Sequence, residues 1–270
     1  MTADFCLLLF NIISKKLEKG DINLEMALDK ISVNKINEYY DVSINESLLT
    51  SRTMHRYEEI CQAYRLRHQI FAEALHWVPT CTSRLETDDY DIHAQHFGVF
   101  DKDELLCYLR LITPGKPFMI EQEFNSLISK DHIIRKMDDT GEVSRLCISP
   151  HVRTNRVPIG TYIHSISIIL FKSLYHWCKI NGIRYLYIVV AHKVLRMLNI
   201  IGVPCKPVGT QKVMPDGIIA LAAIIDCRDI EIKNAIRKPT AFQWLSQIQS
   251  NPMKLPPPVR EAYLPPQVSA

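Results

Sequence analysis

Charged and aromatic side chains are concentrated between residues 66 and 91 of this 270-residue chain. Arg67 and Phe71 are four residues apart, so a helix would place the guanidinium beside the aromatic ring on one face. Trp77 follows at the expected helix end, and two carboxylates, Asp88 and Asp91, come after a polar loop. A cation, two large aromatic rings and several carboxylates so close in sequence indicate a pocket for a zwitterionic ligand.

Predicted strands further along the chain carry a second set of polar side chains. One strand delivers Arg110, and the run 142–148 has the pattern of another. A period of two places Glu142 and Ser144 on one side of that strand and Arg145 on the other. These side chains therefore require a sheet to bring them to the helix that carries Arg67.

The periodicity of hydrophobic residues predicts such a sheet. The predicted elements are a helix over 54–75, a hairpin of strands 96–100 and 105–112, the strand 142–148, a helix over 162–180, a strand over 184–191, a helix over 193–201 closed by Gly202, and a strand over 218–225. This alternation predicts an α/β fold. We divide the chain into an N-terminal helical extension (1–51), a central domain (52–230) and a polar, Pro-rich tail (231–270).

Composition narrows the function classes. Hydrophobic residues make up 47% of the chain, which is enough for a sizeable core, and the net charge of +3 without a long basic run argues against a nucleic-acid-binding surface. Eight scattered cysteines without a Cys-x-x-Cys pair predict buried, reduced thiols in a cytoplasmic protein, with no metal site. The apolar stretch 5–13 is too short to span a bilayer, so we expect a buried helix there and no integral membrane segment.

In order and approximate spacing, several elements resemble the signature of the bacterial acyl-homoserine-lactone (autoinducer) synthases, a branch of the GNAT acyltransferase superfamily. The similarity rests on Arg67, Phe71, Trp77, Glu86-x-Asp88-x-Tyr90-Asp91, and the segments 108–111, 117–120 with Phe124, and 141–145. It covers roughly residues 57–226. The resemblance implies a GNAT-like acyltransferase fold, with a central twisted mixed sheet flanked by helices, and makes 52–230 the acyltransferase domain.

The resemblance also implies the reaction. A fatty acyl group would pass from acyl carrier protein to the amine of S-adenosylmethionine, and loss of methylthioadenosine would close an N-acyl-homoserine lactone. No cofactor is implied, because S-adenosylmethionine is a substrate and the acyl-phosphopantetheine thioester is the donor. The substrate-binding residues implied by position are Arg67, Phe71, Trp77, Asp88, Asp91, Arg110, Phe124 and Ser144.

Catalysis would centre on the strand 142–148. A free α-amino group has a pKa of about 7.7–8.0 and is largely protonated at neutral pH, so we expect Glu142 to act as general base, with Arg145 beside it. The alternative for Glu142 is an ion pair with Arg145 or Arg110. Backbone N–H groups of a bulged central strand would stabilise the oxyanion.

The donor is expected to lie along apolar and basic segments. Large side chains at 118–120, together with Phe124, suit an acyl tunnel, although they suit an ordinary core equally well. The basic loop 151–160 leads into the predicted helix 162–180, and Arg153, Arg156 and Gly160 are candidates for binding the phosphate of phosphopantetheine. A merely solvated loop is the alternative.

Two other functions remain open at this stage. Ala74 and Pro79 depart from the pattern of the synthases, which leaves room for an N-acyl amino acid synthase, or an exosortase-associated GNAT N-acyltransferase, that uses another amine and forms no lactone. A catalytically silent GNAT-like binding module is the third hypothesis. The full set of charged positions argues against this module.

Overall fold

A computed structural model of the chain describes residues 39–159 and 162–247. The helix expected at 5–13 and most of the predicted extension 1–51 lie outside these ranges. The compact unit that contains the sheet begins at Tyr40. The proposed boundary at 51/52 falls inside a strand of this unit, because Leu49–Met54 pairs with its neighbours on both sides.

Most of the strands belong to one large sheet. They are β1 (Ser43–Glu46), β2 (Leu49–Met54), β3 (Ala94–Asp101), β4 (Glu104–Ile112), β5 (Thr140–Ile148), β6 (Arg156–Ile159), β7 (Tyr162–Ser165), β8 (Tyr185–Ala191), β9 (Cys205–Pro207), β10 (Lys212–Val213) and β11 (Ile219–Asp226). Within the described ranges the order is β1-β2-β3-β4-β5-β8-β11-β10, and β9 also pairs with β11. Strands β5 and β8 are parallel and their outer neighbours antiparallel, so the sheet is mixed.

Helices cover both faces of this sheet. They are α1 (Tyr57–Arg67), which continues as a π-helical segment (His68–Ala74), α2 (Met119–Gln122), α3 (Ser167–Ile180), α4 (His192–Ile201), α5 (Cys227–Arg237) and α6 (Pro239–Ser246). On β3, His96 faces Tyr64 of α1, whereas the next residue, Phe97, packs edge-on against Trp177 of α3. Successive residues of a strand point to opposite faces, so α1 and α3 lie on opposite sides of the sheet.

The predicted hairpin and the C-terminal alternation of elements are confirmed. β8, α4 and β11 agree with the predicted spans to within one residue, and Gly202 ends α4 in the left-handed region with φ of 101°. A side chain is excluded at Gly202, because a Cβ atom would lie 2.3 Å from Oδ1 of Asn234 on α5. The glycine that ends α4 therefore also lets Asn234 of α5 pack closely against this helix end.

Three helix predictions needed correction. The expected single helix over 54–75 changes from α to π at His68. The helix expected from 162 begins at Ser167, because 162–165 pairs with 156–159 as a separate hairpin. Residues 231–246, assigned to the tail, are mostly helical: α5 starts earlier, where Asp226 caps it by accepting from the Arg228 N–H, and α6 follows.

Other expectations can be compared with the described residues. Seven cysteines lie in these residues, all as free thiols, and five of them are buried, as predicted. No helix within 39–159 or 162–247 is long and apolar enough to cross a bilayer.

The central strands β5 and β8 part midway. Their pairing extends only from Thr140 to Val143, although β5 continues to Ile148. The register between β4 and β5 shifts between Tyr108 and Arg110, and Arg145 has φ of +55°. The central strand therefore carries a bulge where it leaves its parallel neighbour, as the oxyanion hypothesis requires.

Candidate active site

Charged side chains from α1, β4, β5 and the segment before β3 form a buried network on the α1 face. Its members are Arg67, Arg110, Arg145, Glu86, Asp88 and Asp91. Three cations face three carboxylates, so the charges balance within the network. Such a set is stable in a protein interior only if the partners satisfy one another.

Arg67 lies deep in this network. Its side chain is fully buried, donates to Glu86, and places Nη1 2.6 Å from Oδ1 of Asp91. Its guanidinium lies over the ring of Tyr64, at 5.1 Å, instead of beside Phe71. The expected shared face of Arg67 and Phe71 is disrupted because the chain becomes π-helical directly after Arg67.

Phe71 instead contacts Arg145. The Arg145 guanidinium lies 5.5 Å from the centre of the Phe71 ring, and that ring stacks on Trp77 at 6.0 Å. Arg145 donates to both Glu86 and Asp88 at 2.9 Å. The expectation that Arg145 lies on the opposite side of β5 from Ser144 is wrong, because the bulge turns Arg145 toward the acids that Arg110 also contacts.

Arg110 links the acids to β5. Its guanidinium contacts Asp88 and approaches Asp91 at 2.6 Å, while Nε donates to Oγ of Ser144 at 3.0 Å. Burial opposes ionisation of Asp91, but Arg67 and Arg110 outweigh it and hold the Asp91 pKa well below its usual range. Glu86 is likewise buried, and Arg67 and Arg145 lower its pKa. Asp91 and Glu86 are therefore held as carboxylates.

Glu142 is set apart from this network. Its side chain is 1% exposed and accepts from the backbone N–H groups of Met119 (2.5 Å) and Ile120 (3.0 Å) at the start of α2. These amides replace the ion pair with Arg145 or Arg110 considered above. Burial raises the Glu142 pKa to about 8, against the lowering effect of the two amides. Glu142 is thus a neutral or weakly basic carboxyl near physiological pH.

A cavity of about 320 Å³ adjoins Glu142. The predicted site residues that line it are Phe71, Trp77, Phe124, Glu142, Ser144 and Arg145. Arg67, Asp88, Asp91 and Arg110 are not among the lining residues and stand behind Arg145 and Ser144 in the network. The predicted site therefore splits into a lining layer and a supporting layer.

The cavity passes through the sheet where β5 and β8 part. Phe71 lines it on the α1 side, whereas Phe171 and Leu174 of α3 line it on the other side. Of the segment 118–120 proposed for the acyl tunnel, Met119 lines the cavity, and Leu146 and Val190 line it as well. Phe118 and Ile120 do not, since both are fully buried in the core around Tyr187.

Other contributions to the cavity were not apparent in the sequence. Trp77 is half exposed, and its Nε1 donates to Asp216 in the turn between β10 and β11, at 2.5 Å. Helices α3, α5 and α6 contribute apolar walls. The contact of Trp77 with Asp216 joins residues 139 positions apart, and no local pattern marks it.

The basic loop differs from its prediction. Arg153 and Arg156 are exposed, and Nη1 of Arg156 donates to the backbone carbonyls of Arg153 and Asn155 at 3.1 Å. The β6–β7 hairpin separates this loop from the start of α3, so the loop does not lead into that helix. Gly160 lies outside the described residues. A phosphate-binding role for these residues stays a prediction.

A mixed sheet whose parallel central strands part around a cavity beside a buried carboxyl group defines a GNAT-like acyltransferase. The family model described as autoinducer synthase matches residues 51–235, so the chain belongs to the autoinducer synthase family.

Relatives and solved structures agree with this assignment. Acyl-homoserine-lactone synthases of Aeromonas hydrophila and Aeromonas salmonicida are 27% and 26% identical, over 68% and 70% of this chain and 87% and 90% of theirs. In fold, the chain is similar to the CoA-dependent acyl-homoserine lactone synthase BjaI, with a TM-score of 0.58 and 20% identity over 66% of this chain and 82% of BjaI. LasI gives a TM-score of 0.56 and 19% identity over 67% of this chain and 91% of its own.

Proposed function

We propose that this enzyme makes an N-acyl-homoserine lactone from S-adenosylmethionine and an acyl group carried by acyl carrier protein. The observation that carries the proposal is the cavity that joins Glu142 and Arg145 on one face of the sheet to an apolar chamber on the other. Within the autoinducer synthase family, such a cavity suits a polar acceptor and a fatty acyl chain that meet between β5 and β8.

The first step is amide formation. Glu142, directly or through a water molecule, takes a proton from the α-ammonium group of the acceptor, and its pKa of about 8 is close to the pKa of that group. The amine attacks the thioester carbonyl and the C–N bond forms. The C–S bond then breaks, the nitrogen gives up its second proton to the leaving thiolate, and the proton held by Glu142 is released to solvent. Each carboxylate oxygen has two acceptor sites, so Glu142 can keep its bonds to Met119 and Ile120.

Oxyanion stabilisation is assigned to the bulge. Beyond Val143 the β5 backbone is not paired with β8, and Arg145 adopts positive φ. Backbone N–H groups directed into this gap would stabilise the tetrahedral intermediate without having to reorient.

The second step closes the lactone. The methionyl carboxylate attacks the carbon bonded to the sulfonium, a C–O bond forms, and the C–S bond breaks to release neutral methylthioadenosine. Arg145 is the arginine of the network that lines the cavity, so it is the group proposed to orient the carboxylate. The stacked rings of Phe71 and Trp77 offer an aromatic wall for the sulfonium and adenine.

Acyl carrier protein is proposed as the donor because two exposed arginines could bind its phosphopantetheine arm. Arg153 and Arg156 are exposed near the hairpin that precedes α3, and acyl carrier protein presents its acyl group on a phosphopantetheine arm. Guanidinium groups suit a phosphate of that kind. Coenzyme A carries the same arm, so the two donors must be compared directly.

The test is a product analysis by mass spectrometry. The enzyme is incubated with acyl carrier protein thioesters or with acyl-coenzyme A, each in the presence of S-adenosylmethionine or of mixed amino acids. We expect an N-acyl-homoserine lactone and methylthioadenosine only with S-adenosylmethionine, and faster turnover with the protein-bound donor. Acyl amino acids without lactone would overturn the acceptor assignment, and equal or faster turnover with coenzyme A would overturn the donor assignment.

A further inference from the structure

Helix α6 lies beyond the part of the chain that the family model matches. The match ends at residue 235, and α6 spans Pro239–Ser246. Its half-buried apolar residues, Ala241, Phe242, Trp244 and Leu245, all line the cavity. This spacing places them on one face of the helix, while Gln243 and Ser246 are exposed.

A buried ion pair holds α6 in place. Nζ of Lys172 on α3 lies 2.5 Å from Oε1 of Glu46 on β1, and Nε1 of Trp244 donates to Oε2 of the same carboxylate at 3.2 Å. The Lys172 ammonium also lies 4.4 Å from the centre of the Trp244 ring. The Lys172 side chain is only 3% exposed, so the Glu46 carboxylate and the Trp244 ring replace solvent around its ammonium group.

The preceding helix fixes the other end of α6. Nδ2 of Asn234 on α5 donates to the carbonyl of Gly202 at 2.5 Å, and Asn234 itself lines the cavity. Helix α6 is thus secured through α5 on one side and through Trp244 on the other. These contacts make α6 one wall of the cavity.

The wall stands at the end of the cavity away from Glu142. Glu142 accepts from α2, whereas α6 packs against α3 on the opposite face of the sheet. An acyl chain whose thioester carbon lies between β5 and β8 would extend past Phe171 and Leu174 of α3 toward α6. Phe242 and Trp244 are the bulky side chains that α6 places in that path.

We infer that α6 sets the length of the acyl chain that this enzyme accepts, with the terminal methyl group of a straight saturated chain packed against Phe242 and Trp244. The inference rests on the proposed function for its account of the reacting end of the chain. It assigns specificity to a helix outside the matched residues.

Two substitutions on α6 should act in opposite directions. Phe242→Ala removes volume without touching the bonds of Trp244, and we expect it to accept chains longer by at least two methylenes. Each newly buried methylene should raise kcat/KM about fourfold, which corresponds to about 0.8 kcal/mol. Ala241→Leu adds volume, so its preferred chain should be shorter than that of the wild type. Gln243→Ala, on the exposed face of the same helix, is the matched control and should keep the wild-type profile.

The experiment uses the full chain and a ladder of saturated acyl thioesters from four to fourteen carbons. Turnover with S-adenosylmethionine gives one profile, and calorimetric binding of the corresponding acyl-pantetheines without acceptor gives a second that does not depend on the reaction. Opposite shifts for Phe242→Ala and Ala241→Leu in the binding profile support the inference even if the acceptor is not S-adenosylmethionine. Unchanged profiles in both variants would overturn it, and so would the absence of acyl-pantetheine binding to the wild type.

Discussion

The two halves of the cavity are built in different ways. The polar half, around Glu142, Ser144 and Arg145, is supported by ion pairs in which each arginine contacts at least two acids. The apolar half is formed by α3, β8, α4, α5 and α6, and its lining is almost entirely aliphatic and aromatic. Directional contacts fix geometry, whereas apolar contacts fix only volume and shape. Substitutions in the polar half should therefore lower activity or stability. Substitutions in the apolar half should instead change which acyl chains fit.

The largest effect is expected from Glu142→Gln. Loss of a general base costs on the order of 100- to 10,000-fold in rate. The fold should persist, because glutamine has a similar shape and its amide oxygen can still accept from the backbone. One of the two N–H groups at the start of α2 loses its acceptor, at a cost of about 1–3 kcal/mol. Single-turnover acyl transfer is the measurement, with the exposed Glu123→Gln as control. Near-normal turnover would assign Glu142 to holding α2 alone.

Arg67→Met tests whether Arg67 stabilises the buried network. Glu86 and Asp91 each keep one arginine partner, but three buried carboxylates then face two arginines. One buried negative charge is left uncompensated, so we expect the free energy of unfolding to fall by about 3–5 kcal/mol. The control is Arg84→Met, which breaks an exposed pair with Glu73 and should leave the free energy of unfolding close to the wild-type value.

The same position tests whether Arg67 meets the acceptor. Arg67→Lys keeps the charge but loses the planar donor set, so it should lower stability while the acceptor KM stays close to the wild-type value. Arg145→Lys, at a lining position, should raise that KM. Denaturant titration and initial-rate kinetics give the two quantities. A raised KM in Arg67→Lys with unchanged stability would place Arg67 in contact with substrate.

The apolar half should discriminate between acyl chains by their oxidation state. Val189, Val190 and Ala191 line the cavity and offer no side-chain donor to a carbonyl at the third carbon. A buried carbonyl without a partner costs about 1–3 kcal/mol, so unsubstituted donors should outcompete 3-oxo donors by roughly tenfold or more. Equal amounts of both thioesters of one length are supplied together. A clear excess of oxo product would mean that another group donates to the chain.

The smallest effect is the pH dependence of the polar half. With the Glu142 pKa raised to about 8 by burial, kcat should rise about fivefold from about pH 7 to about pH 8, and by up to about twofold more before it levels off above about pH 9. Stability should change in the opposite direction. The folded state holds this proton up to about pH 8 and the unfolded state releases it near pH 4.3, so stability falls as pH rises between these values.

Thermal unfolding across this range tests the stability half of the prediction. The Glu142→Gln variant lacks the titrating group and should show a flatter dependence on pH than the wild type. If the stability of the two proteins changes with pH in the same way, Glu142 is not the group that causes the pH dependence.

The sequence by itself determined the class of fold and the members of the polar half. Alternation of apolar residues predicted the β3–β4 hairpin and the β8–α4–β11 unit, because strand and helix periods are local properties of the backbone. The resemblance selected Arg67, Asp88, Asp91, Arg110, Glu142 and Arg145. The structure joins the arginines and aspartates in one network, and Glu142 lies apart from it on the same cavity as Arg145. Local information also sufficed for Gly202, whose missing side chain permits the left-handed helix end.

Only the tertiary structure decided which of these residues face the cavity. A period of two gave the wrong side for Arg145, because the bulge opposite Leu109 depends on pairing with β4. Likewise, the repeat of an α-helix predicted that Arg67 and Phe71 would lie on one face. The chain is π-helical after Arg67, and the Phe71 ring contacts the Arg145 guanidinium instead. The contact of Trp244 with Glu46 and Lys172 joins β1, α3 and α6. No periodicity encodes such a contact, since it arises from burying one lysine charge among elements distant in sequence.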